Sequence, residues 1–214
     1  MPPLLLDICW TTYFSNTTFD FVDYVVKRKS YHLAHSVRKT RFGQVCSALL
    51  FHLLRRDLMR EYAVRQLRGM SEEEIMQQAR LFIDRLDANQ RNTKAWDIIL
   101  QYSDIRLIST TISPIAYALA DKYHWQVMST NELIFSRHIA TGKTAAFNPS
   151  DKLTSLQLSS LPAFDILTDN TSDLDLILRS HHAYIITYNN LKRWQQLLPD
   201  HSNLSFININ LSQY

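Results

Sequence analysis

Short apolar runs punctuate the chain, and most of them end on a polar residue. Pro3-Leu4-Leu5-Leu6-Asp7 is the first. Ile105-Arg106-Leu107-Ile108-Ser109, Phe164-Asp165-Ile166-Leu167-Thr168-Asp169 and Ala183-Tyr184-Ile185-Ile186-Thr187 share its form, and Trp125-Gln126-Val127-Met128 is a weaker version. Runs of this length without strict alternation predict strands buried on both faces, as in parallel sheets. Helical spacing follows most of them, over Pro114 to Tyr123, Asp151 to Leu158, Asp173 to Arg179 and Leu191 to Leu198. Pro114 falls in a first helical turn, where its missing N–H costs nothing. Strands alternating with helices predict a three-layer, Rossmann-like α/β fold with a parallel sheet. Polar residues at the carboxyl ends of such strands face one common crevice.

Between the first strand and Ile105 the pattern is helical throughout. Phe19, Val22, Val25 and Val26 recur at helical spacing, and Leu81, Phe82, Ile83 and Leu86 form a second stripe. Ser71-Glu72-Glu73-Glu74 reads as a capping box that starts the second of these helices. The pattern predicts an all-helical insertion over residues 15–102, placed within an α/β core made of residues 1–14 and 103–214. No internal repeat or low-complexity linker interrupts it.

A length of 214 residues fits one domain, or a core with one insertion. With 46% hydrophobic and 20% charged residues the chain buries a full core, which excludes disorder. Two cysteines exclude a disulfide scaffold and a Cys-rich zinc module, and the eight histidines show no metal-ligand spacing. No apolar run reaches the roughly 18 residues of a membrane span, and the first residues lack a signal-peptide layout, so a soluble, cytoplasmic protein is expected. Only three glycines are present, so a phosphate loop has to be built without glycine clusters.

The net charge of +3 hides a lopsided distribution. Residues 27–68 carry eleven Lys or Arg against Asp57 and Glu61, a local +9, which leaves −6 for the rest. Tyr31, Phe42, Leu49, Leu50, Phe51 and Leu53 interleave with those cations. Two readings stand: a helical cap whose apolar stripe packs while its charges stay solvated, or an anion-binding cap for a polyanionic substrate or an anionic membrane surface. No nucleic-acid-binding motif accompanies the charge, which speaks against nucleic acid as a partner.

The polar residues at the predicted strand ends carry the chemistry. Asp7 ends the first strand and Ser109 the second, Lys152 opens a later helix, and Asp169 ends another strand with Asp173 four residues on. Each alone is an ordinary turn or cap residue. In this order they supply a carboxylate nucleophile, a hydroxyl donor, a cation and a carboxylate pair, which is what magnesium-assisted phosphoryl transfer through an aspartyl-phosphate uses.

These four motifs resemble those of the haloacid dehalogenase-like hydrolases, in the phosphoserine-phosphatase branch with a helical cap. Leu5 to Thr11 is similar to the family's strand ending Asp-x-Asp-Gly-Thr, and Leu107 to Thr111 to its second motif. Thr141-Gly142-Lys143 through Lys152-Leu153 resembles the stretch that delivers the third-motif lysine, assigned here to Lys152. Thr168 to Asp173 is similar to Gly-Asp-Ser-x-x-Asp. The resemblance implies Asp7 as nucleophile, with Ser109 and Lys152 holding the transferring oxygens. It implies Mg²⁺ held by Asp7, the Cys9 carbonyl and Asp169, with Asp173 orienting Lys152 or a metal-bound water. Thr11 and Thr110 are candidate phosphate contacts, and the substrate implied is a small phosphorylated metabolite, or a lipid or sugar phosphate. The departures are Cys9 in place of the second aspartate, Trp10 in place of glycine, and Thr168 and Asn170 in motif four. A thiol of pKa near 8.5 is a poorer proton carrier than a carboxyl. The resemblance therefore implies a phosphatase, with a catalytically weak protein that binds a phosphorylated ligand or a partner as the alternative.

Overall fold

The computed structural model describes residues 1–26, 57–145, 163–198 and 202–210. Along the chain these form β1 (Leu4–Leu6), α1 (Thr17–Val25), α2 (Leu58–Arg65), α3 (Glu72–Asn89), α4 (Thr93–Ile99), β2 (Ile105–Ile112), α5 (Ser113–Tyr123) and β3 (Gln126–Asn131). A hairpin of β4 (Leu133–Ser136) and β5 (Ile139–Thr144) follows, then β6 (Asp165–Thr168), α6 (Leu174–Arg179), β7 (His182–Thr187), α7 (Leu191–Leu197) and β8 (Leu204–Asn208).

Six strands make one parallel sheet in the order β3-β2-β1-β6-β7-β8. β1 is central and pairs with β2 on one side and β6 on the other; Leu6 lies opposite Leu107 and Leu167. Strand order runs outward in both directions from β1, so the crevice beyond the carboxyl ends of β1 and β6 is a topological switch point. The apolar runs alternate between the two faces. Leu4, Leu6 and Leu167 join one core with α1 to α5, whereas Leu5, Ile166 and Ile185 join a second with Leu176, Ile177 and Trp194 of α6 and α7. Helices therefore cover both faces, which gives the expected three layers.

Helix α3 begins as expected. Ser71 Oγ accepts the Glu74 N–H at 3.1 Å and caps α3. Phe21 and Phe82 meet edge to face at 5.5 Å between α1 and α3, where such pairs add about 1 kcal/mol beyond area burial. These helices share their apolar cluster with the sheet face formed by β1 and β2.

Three features differ from the sequence reading. β2 does not stop at Ser109 but stays extended to Ile112, its pairing with β3 slipping after Leu107 and again after Ile108. The β-branched Thr110, Thr111 and Ile112 favour that extension. Thr141-Gly142-Lys143 lies in β5 of a hairpin that the sequence pattern does not predict. A Cβ on Gly142 would stand 2.9 Å from Arg68 Cβ, so the missing side chain lets this hairpin close on the segment after α2. The hairpin turn uses Arg137 and His138 at φ 50° and 63°, without the Asn-Gly or Asp-Gly signal that such turns favour. β8 is an unpredicted edge strand; its half-buried, mixed sequence gives no apolar run. Lys152, the helix expected over Asp151 to Leu158, and residues 27–56 of the basic stretch lie outside the described residues.

Candidate active site

Asp7 leaves the carboxyl end of β1, and its N–H donates to the Leu167 carbonyl of β6 at 3.0 Å. Its side chain is 4% exposed. The following residues turn at once: Thr12 N–H donates to the Ile8 carbonyl at 3.1 Å and Thr12 Oγ1 to the Asp7 carbonyl at 2.8 Å. Trp10 holds φ 56°, a left-handed conformation that suits the glycine of the family motif and costs an L-residue roughly 1–2 kcal/mol. Two contacts oppose that cost. The Tyr188 hydroxyl donates to the Trp10 carbonyl, and the two rings meet edge to face at 5.9 Å.

Asp169 leaves β6 beside this loop. The Thr11 hydroxyl donates to Asp169 Oδ1 at 3.1 Å and accepts the Asp169 N–H at 3.0 Å. Burial, then the negative charge of Asp7, then that of Asp173 push the Asp169 carboxyl up to about 8, while Thr11 works in the other direction. Asp173 is fully buried, and its Oδ2 accepts the Thr168 hydroxyl at 2.7 Å. Asp7 and Asp173 thus both oppose the ionisation of Asp169 at the switch point.

Cys9 Sγ lies 2.9 Å from Thr17 Oγ1, which in turn lies 2.7 Å from Thr111 Oγ1. This chain of hydrogen bonds links the first loop to β2. Burial, and then the Asp7 charge, push the thiol above its ordinary value. At neutral pH it is a protonated thiol and not a base.

Ser109 lies on β2 two residues past the Leu6–Leu107 pair, fully buried, with Oγ accepting the Thr111 N–H at 3.3 Å. Thr110 is held by Arg60 of α2. Arg60 Nη1 donates to the Thr110 carbonyl, and Nη2 lies 3.5 Å from Thr110 Oγ1. Asp57 caps α2 by accepting the Arg60 N–H at 3.0 Å, and its carboxylate lies 3.5 Å from Arg60 Nε. The Arg60 charge reaches Cys9, where it opposes the rise of the thiol.

The structure therefore gathers Asp7, Cys9, Thr11 and Asp169 at one point, with Asp173 behind Thr168 and with Ser109 and Thr110 on the adjoining strand. Arg60 was hidden in the sequence, because nothing separates it from ten other cations of the basic stretch. Thr17 and Tyr188 carry no motif either. A cleft of about 700 Å³ opens beside Trp10, lined by Phe14, Asn16, Asp20, Asp23 and Arg85 among others.

The fold is a three-layer α/β arrangement around one parallel sheet, with the gathered residues at its switch point. Among solved structures, the chain is similar to a protein of unknown function from Bordetella pertussis Tohama I, at 14% identity over 99% of both chains with a TM-score of 0.67. It is similar to a HAD family hydrolase from Salmonella enterica serovar Typhi, at 10% identity over 91% of this chain and 65% of that one, TM-score 0.57. A phosphoserine phosphohydrolase-like protein from Francisella tularensis SCHU S4 matches at 10% identity over 96% of this chain and 95% of that one, TM-score 0.57. No family model and no curated protein sequence matches the chain. At these identities the likeness is one of fold: this chain has the fold of the HAD hydrolases of phosphoserine-phosphatase type.

Proposed function

We propose that the protein is a magnesium-dependent phosphatase that hydrolyses a phosphate monoester of a small metabolite through an aspartyl-phosphate on Asp7. The observation that carries this reading is the pairing of the buried Asp7 with the half-buried Asp169 at the switch point, where the Asp7 charge opposes ionisation of Asp169. Such a pair is unfavourable by itself and suits a hard cation with oxygen ligands. Among the described residues no three His, Cys, Asp or Glu side chains converge on a metal position. Magnesium fits that arrangement, because it takes one or two carboxylates and completes its shell with water and substrate oxygens. Asp7, Asp169 and the Cys9 carbonyl would hold it, and when bound it offsets the charge on the transferring phosphoryl group.

In the proposed reaction an Asp7 carboxylate oxygen attacks phosphorus, the ester P–O bond breaks, and the leaving oxygen takes a proton from solvent, which the attacking water of the second step gives back. Water then attacks phosphorus, the bond to Asp7 breaks, and inorganic phosphate leaves. Ser109, with Thr110 held by Arg60, presents polar groups to the phosphoryl oxygens, and Lys152 is the cation that the family resemblance assigns to them. Thr11 is read as a support for Asp169, because that residue engages its hydroxyl twice. The helical segment 15–102 is proposed as a cap on the core 1–14 and 103–214.

One observation favours the alternative of weak turnover with binding of a phosphorylated ligand: the Cys9 thiol is held protonated and turned to Thr17. A phosphatase assay with Mg²⁺ on wild type, Asp7→Asn and Cys9→Asp tests both readings. Turnover in wild type that Asp7→Asn abolishes supports the phosphatase. Activity gained only in Cys9→Asp supports the binding protein, and wild-type rates in Asp7→Asn would sink the nucleophile.

A further inference from the structure

Asn92 stands outside every motif discussed so far, yet it is fully buried and all four of its polar groups, two of the backbone and two of the side chain, are engaged. It caps α4, accepting the Ala95 N–H on Oδ1 at 3.5 Å. A cap of that length is a weak reason to bury a carboxamide. The stronger bonds point elsewhere. Asn92 Nδ2 donates to the Thr11 carbonyl at 2.9 Å, and its backbone N–H donates to the Thr12 carbonyl at 3.1 Å. Phe14 N–H donates to the Gln90 carbonyl at 2.8 Å, so residues 90–92 grip the loop after β1 at three points.

That grip has a direction. With its carbonyl fixed by Asn92, Thr11 has its backbone position set, and its hydroxyl is then spent on Asp169: it donates to Oδ1 and accepts the N–H. A hydroxyl has one proton to give, so its donation to Oδ1 fixes which carboxylate oxygen is tied back. Groups that orient a ligating carboxylate are worth about 10–100-fold in metal affinity where they have been removed.

We infer that Asn92, at the junction of α3 and α4, is a positioning residue for the crevice carboxylate, acting through Thr11 on Asp169. The inference rests on the magnesium reading above, and it gives the helical insertion a role in metal affinity that neither the motifs nor the fold assigns. Asn92 touches no reacting atom. It keeps Thr11 in register, and Thr11 keeps Asp169 in its rotamer.

The substitutions separate this role from that of a cap. Asn92→Ser retains a capping hydroxyl but cannot reach Thr11. Asn92→Asp retains the cap acceptor and sets an oxygen against the Thr11 carbonyl. Thr11→Val removes the hydroxyl at nearly constant shape, and Thr11→Ser restores it. Ser71→Ala removes the cap of α3, away from the crevice, and serves as the purely structural control. Each full-length variant is measured by calorimetric titration with MgCl₂ and by thermal unfolding with and without Mg²⁺. Asn92→Ser, Asn92→Asp and Thr11→Val are expected to weaken Mg²⁺ binding about ten-fold or more, Thr11→Ser to recover it, and Ser71→Ala to lower Tm without changing it. In the Thr11→Val background, Asn92→Ser is expected to add less than two-fold, because both act along one path. If wild type binds Mg²⁺ and Asn92→Ser and Thr11→Val keep its affinity within two-fold, the positioning role is wrong while the metal reading stands. If Thr11→Val alone loses affinity, Asn92 is only a cap. If wild type binds no Mg²⁺, the metal reading falls and this inference falls with it. Should the Asn92 variants fail to fold, an unchanged affinity in Thr11→Val overturns the path by itself.

Discussion

The Tyr13 hydroxyl donates to Asp87 Oδ1 at 2.8 Å and ties the loop after β1 to the last turns of α3. The same carboxylate accepts from Arg91 at 2.9 Å, and from Lys122 and Tyr123 of α5 at 2.6 Å each. Arg91 lies 4.1 Å above the Trp96 ring, and Trp96 packs on Tyr123 and Trp125. Three segments far apart in sequence thus meet on one carboxylate whose side chain is 11% exposed. Burial works to raise the Asp87 carboxyl, but the bonds from Lys122, Tyr123, Arg91 and Tyr13 outweigh it and hold it below the ordinary carboxylate value.

Asp87→Ala is therefore expected to destabilise the fold by about 3 kcal/mol, because two cations and two hydroxyls lose their common partner. The measurement is the shift of the urea midpoint. Linkage sets the pH dependence: a carboxyl lowered in the folded state contributes stability above its unfolded pKa of about 3.9 and loses that contribution as pH falls through the lower folded value. The gap between wild type and Asp87→Asn should thus be full at neutral pH and close on acidification below about pH 4. A gap constant with pH would remove the carboxylate charge from the explanation.

Asp169→Asn should raise the Tm of the metal-free protein and abolish the increase in Tm that Mg²⁺ produces in wild type. The amide keeps an acceptor for Thr11 and removes a carboxyl whose ionisation burial, Asp7 and Asp173 all oppose in the folded chain. Stability gained as function is lost is the expected exchange at such a site. A variant less stable than wild type without metal would show that the carboxylates do not repel in the folded chain.

Trp10 gives a test of backbone strain. Trp10→Ala keeps the left-handed residue and loses the ring contact with Tyr188, whereas Trp10→Gly loses the ring contact and relieves the backbone. The glycine variant should be the more stable of the two by about 1 kcal/mol. Chemical denaturation of the pair reads the difference directly. The reverse order would mean that the loop relaxes away from the left-handed region.

Arg60→Ala should weaken inhibition by inorganic phosphate by roughly ten-fold, the scale of one charge-assisted hydrogen bond. Arg60→Lys should recover only part, since an ammonium cannot hold the Thr110 carbonyl and hydroxyl together with a planar fork. Inhibition constants against a phosphate ester, with circular dichroism as a check on folding, decide it. Unchanged inhibition in Arg60→Ala would confine this residue to anchoring α2.

The strands β1, β2, β6 and β7 were legible because a strand buried on both faces has to be apolar throughout its length, and a run such as Leu4-Leu5-Leu6 satisfies nothing else. The Ser71 cap and the spacing of Phe82 and Leu86 were equally local, and local rules determine them. Asp7 and Asp169 were visible as acids at strand ends, because strand termini in a parallel sheet lie on one edge whatever the intervening chain does. The hairpin and β8 escaped notice because their turn and edge chemistry is not written in glycines or apolar runs. What only the tertiary structure decided is how distant polar groups are spent. Thr11 looked like a phosphate contact, but its hydroxyl goes to a residue 158 positions away. Arg60 looked like any other cation of a basic stretch until α2 carried it to Thr110. Asn92 and Asp87 carried no signal, because a polar residue acquires its role from the partners that burial forces on it. The sequence by itself determined which segments must be buried and which residue types reach the switch point. Only the packing of α1 to α4 against the sheet decided which hydrogen bonds hold them there.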